Sequence, residues 1–135
     1  IGFLLWQTHN NWQRKINKEL KQFGLTHVQY ILLASLQHLQ TISNCISQIQ
    51  LSDFSNTDIM MTSKVIRTLE KKGYIEKNKH PLDTRAYSLN LTKEGDELVQ
   101  KTAQYIKEFD LNYFGPLSTQ MESFSESLRI LKESK

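Results

Sequence analysis

Ser63, Lys64 and Arg67 stand close together, with Met60 about one helical turn before them and Lys71 one turn after. On a helix these positions share one stripe. A hydroxyl, an ammonium and a guanidinium on one face can hydrogen-bond to phosphates or base edges, while Met60 and Met61 could meet thymine methyl groups. Beyond a glycine stop at Gly73, a loop runs from His80-Pro81 to Asp83-Thr84-Arg85. An arginine held by a hairpin can enter a narrow minor groove, where negative potential is greatest. This is the chemistry of recognition, and a helix followed by a basic hairpin suits the grooves of a duplex. No P-loop, zincin motif or G-x-S-x-G element occurs in the sequence. His9, His27, His38 and His80 are scattered without a metal-ligand spacing. Neither an enzyme, a metal nor a cofactor is expected.

Charge supports the same region. The formal net charge is only +3, but residues 60–85 carry seven cations against three carboxylates, a net +4, and the remaining chain sums to −1. The excess positive charge is therefore expected in one segment, as on a polyanion-binding face. At 135 residues the chain can bury a real core and is expected to form a single domain over 1–135. It opens on Ile1 rather than Met, so a few preceding residues are expected. A lone cysteine, Cys45, fits a reducing compartment. No apolar run approaches the roughly 18 residues that span a bilayer. A cytoplasmic protein without a membrane partner is the expectation.

The elements that must carry these side chains follow from periodicity. Residues 3–23 read as a first helix, striped by Trp12, Ile16, Leu20 and Phe23 and stopped at Gly24. Its opening Phe3-Leu4-Leu5-Trp6 suits burial against a second subunit. Thr26 reads as the N-cap of a second, central helix through Val28, Ile31, Leu32, Ser35, Leu36 and Leu39. After a polar link, Thr41 to Cys45, Ser47 and Gln50 spell a capping box for a short third helix. Ile49, Leu51 and Phe54 are expected to supply its apolar side. Ser55-Asn56-Thr57-Asp58 reads as a turn ending in the cap of a fourth helix, Ile59 to Lys72, whose inward stripe is Thr62, Val65, Ile66 and Leu69. Two alternating strands flank the loop at 80–85, and Pro81 belongs in that loop because it cannot donate to a ladder.

Thr92, Glu94 and Asp96 open a fifth helix with Leu98, Thr102, Tyr105, Ile106 and Phe109 inward, broken at Gly115-Pro116. Leu117, Met121, Phe124, Leu128 and Leu131 then form a seam too short to stand alone, so it needs the first helix or another chain. The expected fold is mainly α with a small β-hairpin wing (α+β). It is a winged helix-turn-helix lobe over 26–91 between dimerisation helices at 1–23 and 93–135.

Four stretches recur in a recognisable order. They are Ile46-Ser47-Gln48-Ile49-Gln50-Leu51-Ser52; the run from Met61 through Ser63-Lys64 and Lys71-Lys72-Gly73 to Ile75; Asp83-Thr84-Arg85; and Leu91-Thr92-Lys93-Glu94-Gly95. A lone D-x-R means nothing, but the four at these spacings are specific. Over nearly its whole length the chain resembles the MarR family of winged helix-turn-helix transcriptional regulators. The resemblance implies a homodimeric repressor, sometimes an activator, on a pseudo-palindromic operator of double-stranded DNA. It also implies relief of binding by a small-molecule effector or an oxidant.

Expected DNA contacts are Met60, Met61, Thr62, Ser63, Lys64 and Arg67 on the fourth helix, with Thr62 thus standing in both the inward stripe and the reading set. Ser47, Gln48 and Thr26 are expected to meet phosphates at helix N-termini. His80, Asp83, Thr84 and Arg85 complete the set at the wing, where Asp83 would pin a nearby arginine. Family ligands lodge between the dimer helices and the DNA-binding lobe, which makes Trp6, His9, Trp12 and Tyr30 candidate pocket walls; packing within the dimer core is the competing reading. Cys45 has no flanking Lys, Arg or His to activate its thiol. The family's peroxide sensors carry their cysteine in the first helix, where this chain has none, so a redox role for Cys45 is the less favoured of two open readings. The alternative function is a winged-helix protein-interaction module docking an acidic partner. An outward stripe of Leu and Phe would favour that module, and the fourth helix lacks one.

Overall fold

The structure, a computed structural model, describes residues 1–79, 82 and 87–134. Four of its helices begin where a side chain bonds the first orphan amides. α1 (Gly2–Leu20) tightens into a 3-10 turn, Lys21–Phe23, and stops at Gly24, whose φ of 70° is left-handed. Thr26 Oγ1 accepts from Gln29 N–H at 3.3 Å, and Thr26 N–H donates to Gln29 Oε1 at 3.0 Å, which starts α2 (His27–Gln40). Ser47 and Gln50 make the same reciprocal pair at 3.1 and 2.8 Å for α3 (Gln48–Ser55). The Asp58 carboxylate accepts from Met61 N–H at 3.0 Å at the head of α4 (Ile59–Lys71).

The turn between α3 and α4 is held by hydroxyls. Asn56 adopts φ 54°, a left-handed conformation that Asn tolerates better than most residues. The buried Ser52 donates to the Thr57 carbonyl at 2.5 Å, and Ser55 Oγ lies 3.0 Å from Thr57 Oγ1. These bonds fix the angle at which α4 leaves α3. α3 itself departs from expectation. It buries Leu51 and Ser52, whereas Ile49 and Phe54 are 65% and 50% exposed. A step of two turns Ile49 away from the face of Leu51, so the three apolar residues do not form one stripe. Phe54 instead stacks its ring on His38, 5.1 Å between centroids.

α2 is the spine of the first compact unit, Ile1–Ala103. Its Leu32, Leu33 and Leu36 are fully buried, in a core shared with Ile16 and Leu20 of α1, Leu51 of α3, and Ile66 and Leu69 of α4. The wing is an antiparallel pair, β1 (Ile75–Lys79) and β2 (Tyr87–Leu91), with Ile75 opposite Leu91 and Lys79 opposite Tyr87. It is pinned at its base. Leu89 N–H donates to the Ile46 carbonyl at 2.8 Å, and Leu91 N–H donates to Gln40 Oε1 at 2.8 Å.

The end of α4 and the start of α5 (Lys93–Phe114) meet at this base. Gly73 takes φ 84°, and Thr92 Oγ1 donates to the Gly73 carbonyl at 2.6 Å while accepting from Gly95 N–H at 3.0 Å. Thr92 N–H donates to the Tyr74 carbonyl at 3.0 Å. A Cβ on Gly95 would lie 2.2 Å from that same carbonyl oxygen, so only glycine fits. Val99 and Thr102 are the buried residues of this part of α5, and Gln37 Nε2 donates to Asp96 Oδ1 at 2.8 Å.

The second compact unit is Gln104–Lys135. A 3-10 segment, Gly115–Gln120, separates α5 from α6 (Met121–Glu133), and Ser118 is turned out of helical geometry with φ 52°. Leu117 therefore lies outside the helix its spacing suggested, because Pro116 and Ser118 interrupt the register. The rest of the seam is on α6, none of whose described residues is fully buried. Phe114 and Phe124 approach to 6.0 Å, and with Leu111, Met121 and Leu128 they line an open apolar cleft of about 310 Å³. No helix among the described residues is long and apolar enough to cross a membrane.

The Gly95 contact gives a direct test. Gly95→Ala should destabilise the fold by about 1–3 kcal/mol, the usual cost of overpacking. Gly115→Ala, whose Cβ would meet nothing within 4 Å, serves as the control. Urea midpoints read the difference, and equal midpoints would show that the α4–α5 junction is not tight.

Candidate nucleic-acid interface

α4 divides its side chains by depth. Thr62, Val65, Ile66 and Leu69 are buried, and Met60, Met61, Lys64, Arg67 and Lys71 are exposed, with Ser63 between. Met60 is 78% exposed, a large apolar side chain offered to solvent at the head of the helix. One expected reader is excluded: Thr62 is fully buried, and its hydroxyl donates to the Asp58 carbonyl at 2.8 Å. Its place in the inward stripe, one turn before Ile66, outweighs its neighbours in sequence.

The cations of residues 60–85 do not all face outward. Lys72 Nζ donates to the Gly24 carbonyl at 2.8 Å, capping the turn between α1 and α2. Lys77 pairs with Glu70 at 3.8 Å, a half-exposed contact worth little by itself. Lys64, Arg67, Lys71 and Lys79 are exposed and carry no side-chain partner among the described residues. The unneutralised charge is thus narrower than the sequence total and lies along the outward face of α4 and the start of the wing.

α3 presents its N-terminus beside that wing. Ser47, Gln48 and Ile49 border a cleft of about 170 Å³ with Lys77, Tyr87 and Leu89. The Leu89–Ile46 backbone bond is what brings the two together. Lys77 and Tyr87 were not singled out from the sequence, since only strand pairing shows that they flank Ser47. Ser47 Oγ already accepts the Gln50 amide, which leaves its hydroxyl proton free to donate. Thr26 is exposed at the head of α2 in the same arrangement. His80, Asp83, Thr84 and Arg85 lie outside the described residues.

The four candidate pocket residues separate. Trp6 is 65% exposed and Tyr30 is buried in the core. His9 and Trp12 approach to 6.3 Å between ring centroids, and Trp12 meets the edge of His27 at 4.8 Å. His27 is the member that sequence spacing missed, because 18 positions separate it from His9. Burial, joined by the nearby His9, lowers the His27 imidazole from 6.5 to about 4. No group of three or more metal-ligating side chains occurs among the described residues.

The His27 environment sets a pH dependence. Between about 4 and 6.5 the unfolded chain binds a proton that the folded chain refuses, so stability rises with pH across that window. Acidification from pH 7.5 to 5 should therefore weaken the fold, by an amount whose ceiling, reached near pH 4, is about 3 kcal/mol. His27→Phe should keep the ring contact and lose most of the dependence. Denaturant titrations at the two pH values test this, and an undiminished acid loss in the variant would remove His27 as its source.

Comparison with known proteins places this geometry. The MarR family model matches residues 25–87, from the residue after Gly24 to the first residue of β2. An uncharacterized HTH-type transcriptional regulator of Bacillus subtilis, YdcH, is 43% identical over 96% of this chain and 88% of its own length. The HTH-type transcriptional regulator BilQ of Clostridioides difficile is 27% identical over the full chain and 89% of its own length. Among solved structures, MepR of S. aureus in a DNA complex superposes with a TM-score of 0.86 at 22% identity, covering 96% of this chain and 94% of that one. A mutant MarR from E. coli complexed with operator DNA superposes with a TM-score of 0.85 at 20% identity, covering 98% and 93%.

Proposed function

Because this chain belongs to the MarR family, we propose that it is a homodimeric, sequence-specific DNA-binding transcriptional regulator whose α4 reads the major groove. One observation carries the reading. α4 buries a complete apolar stripe and leaves Ser63, Lys64, Arg67, Met60 and Met61 on the opposite side, with neither cation neutralised among the described residues. A helix fits the major groove, and guanidinium, ammonium and hydroxyl groups are the donors its base edges accept. Thr26, Ser47 and Gln48, joined by Lys77 and Tyr87, are proposed phosphate contacts that set the register. Arg85 is proposed to enter the minor groove, with Asp83 orienting it and His80 and Thr84 beside it, on the strength of their sequence.

Relatives in this family that match nearly the whole chain are regulators, and no catalytic role is proposed. Repression, relief by a small effector and a cytoplasmic location are further parts of the proposal. The lobe is taken as residues 26–91, with 1–23 and 93–135 serving dimerisation. Phe3, Leu4, Leu5 and Trp6 are exposed at the start of α1, as are Leu128 and Leu131 on α6, and a second copy would cover them. Two recognition helices would then sit about 34 Å apart, one turn of DNA. An acidic protein would satisfy the same cations, but it gives no use for the hydroxyl and methionines between them.

Arg67→Ala and Lys64→Ala should each weaken binding to the cognate operator by about 1–3 kcal/mol if they read bases. Arg85→Ala should also weaken it and relax preference at the flanking A·T positions. Fluorescence anisotropy against DNA upstream of the protein's own gene, with random duplex as competitor, measures both. Undiminished affinity of the α4 variants at physiological salt would defeat the proposed reading face.

A further inference from the structure

Outside residues 60–85 the chain averages close to neutral, and the average conceals a second positive segment. Residues 1–23 hold Arg14, Lys15, Lys18 and Lys21 against Glu19, a net +3, while the offsetting carboxylates lie at Asp53, Asp58 and beyond residue 92. Arg14, Lys18 and Lys21 recur at steps of four and three, so they align on one face of α1, and all three are exposed. With Asn10, Gln13 and Asn17 they line an open groove that contains no carboxylate and no apolar side chain.

Two sets of hydrogen bonds locate that groove within the first unit. Asn17 Nδ2 donates to the Gln13 carbonyl at 2.9 Å, and Asn17 Oδ1 accepts from His27 N–H at 2.8 Å. The groove therefore abuts the first turn of α2, next to Thr26. Three residues past Lys21, the Gly24 carbonyl accepts from Lys72 Nζ at 2.8 Å. Its lower end therefore meets the C-terminal end of α4, where Lys71 adjoins Lys72. Lys72 thus lies against the turn that follows Arg14, Lys18 and Lys21, and it links the cations of α1 to the end of α4 that also carries Lys71.

We propose that these α1 cations bind phosphates of the duplex that α4 reads, outside the bases α4 contacts, so that the bound site is longer than the recognition face requires. The proposal rests on the reading of α4 as the DNA-contacting helix. A protein partner would seek an apolar or aromatic centre, and the groove offers only amides and cations. Amides and cations are the groups that position a protein on phosphates without reading sequence. The Lys72–Gly24 bond sets the end of α4 against the foot of α1, so a duplex held by α4 is the polyanion these cations are placed to meet.

The test uses the whole protein and two duplexes: the inverted-repeat operator core alone, and the same core extended by about one helical turn on each side. Wild type should bind the extended duplex more tightly and with a steeper dependence on salt. Arg14→Gln, Lys18→Gln and Lys21→Gln together should erase the advantage of the flanks and reduce the log–log salt slope by about 2 to 3 per protomer. These residues are exposed and glutamine keeps helix propensity, so the circular dichroism melting curve should not move. A triple variant with wild-type slope and flank dependence overturns the proposal and leaves the α4 reading intact. A wild type with no salt-sensitive duplex binding overturns both.

Discussion

The carbonyls of Gly73 and Tyr74 are where α4, the wing and α5 are held at one place. Thr92 satisfies both, one with its hydroxyl and one with its amide, and the same hydroxyl caps α5 through Gly95. Backbone groups at a helix end need partners once buried, and here one threonine supplies them for the end of one helix and the beginning of another. The cost is paid in sequence freedom: Gly73 must turn left-handed and Gly95 must lack a side chain. In return, β1 leaves α4 in a fixed direction. Bonds from β2 to Ile46 and Gln40 then tie the wing to α2 and to the residue before α3. The outward face of α4, the head of α3 and the wing base are therefore one surface, closed by bonds from β2 back to residues far earlier in the chain.

That surface divides its lysines between structure and contact. Lys72 is committed to the Gly24 carbonyl and Lys77 to Glu70, so both serve the frame while adding to the local positive potential. Lys64, Arg67 and Lys71 carry the exposed charge. A charge sum over a segment cannot make this distinction, since it weighs a capping ammonium and a groove-facing one alike. The same sum over too wide a window also hid the positive face of α1, because the carboxylates that cancel it lie far along the chain.

What the sequence revealed best was local. Thr26, Ser47 and Asp58 each bond a backbone amide three residues on, and that geometry is fixed by residue type and spacing alone. The α4 stripe was equally legible, because Val65, Ile66 and Leu69 recur at helical intervals. Failures came where tertiary contact decides. Thr62 looked like a reader beside Ser63 until its depth was known. Ile49 and Phe54 looked like core until α3 proved too short to bury both. The His9–Trp12–His27 cluster joins two helices, and α2 contributes only the single ring of His27, which no local pattern marks.

The exposed apolar ends bear on how the DNA surface is used. Phe3, Leu4, Leu5 and Trp6 each leave more than half of their surface to solvent, and Leu131 does the same on α6. Burying a side chain of this size typically stabilises by about 1.5–3 kcal/mol, so several together outweigh the ordering of two short helical ends. The proposed homodimer would hold two α4 faces at a fixed separation, and a second half-site would then be bound without a second loss of translational freedom. A single α4 offers few base contacts, too few for tight discrimination by itself. Specificity in such an arrangement comes from spacing as much as from Ser63, Lys64 and Arg67. A ligand that altered the packing of the apolar ends would change that spacing without touching the reading face.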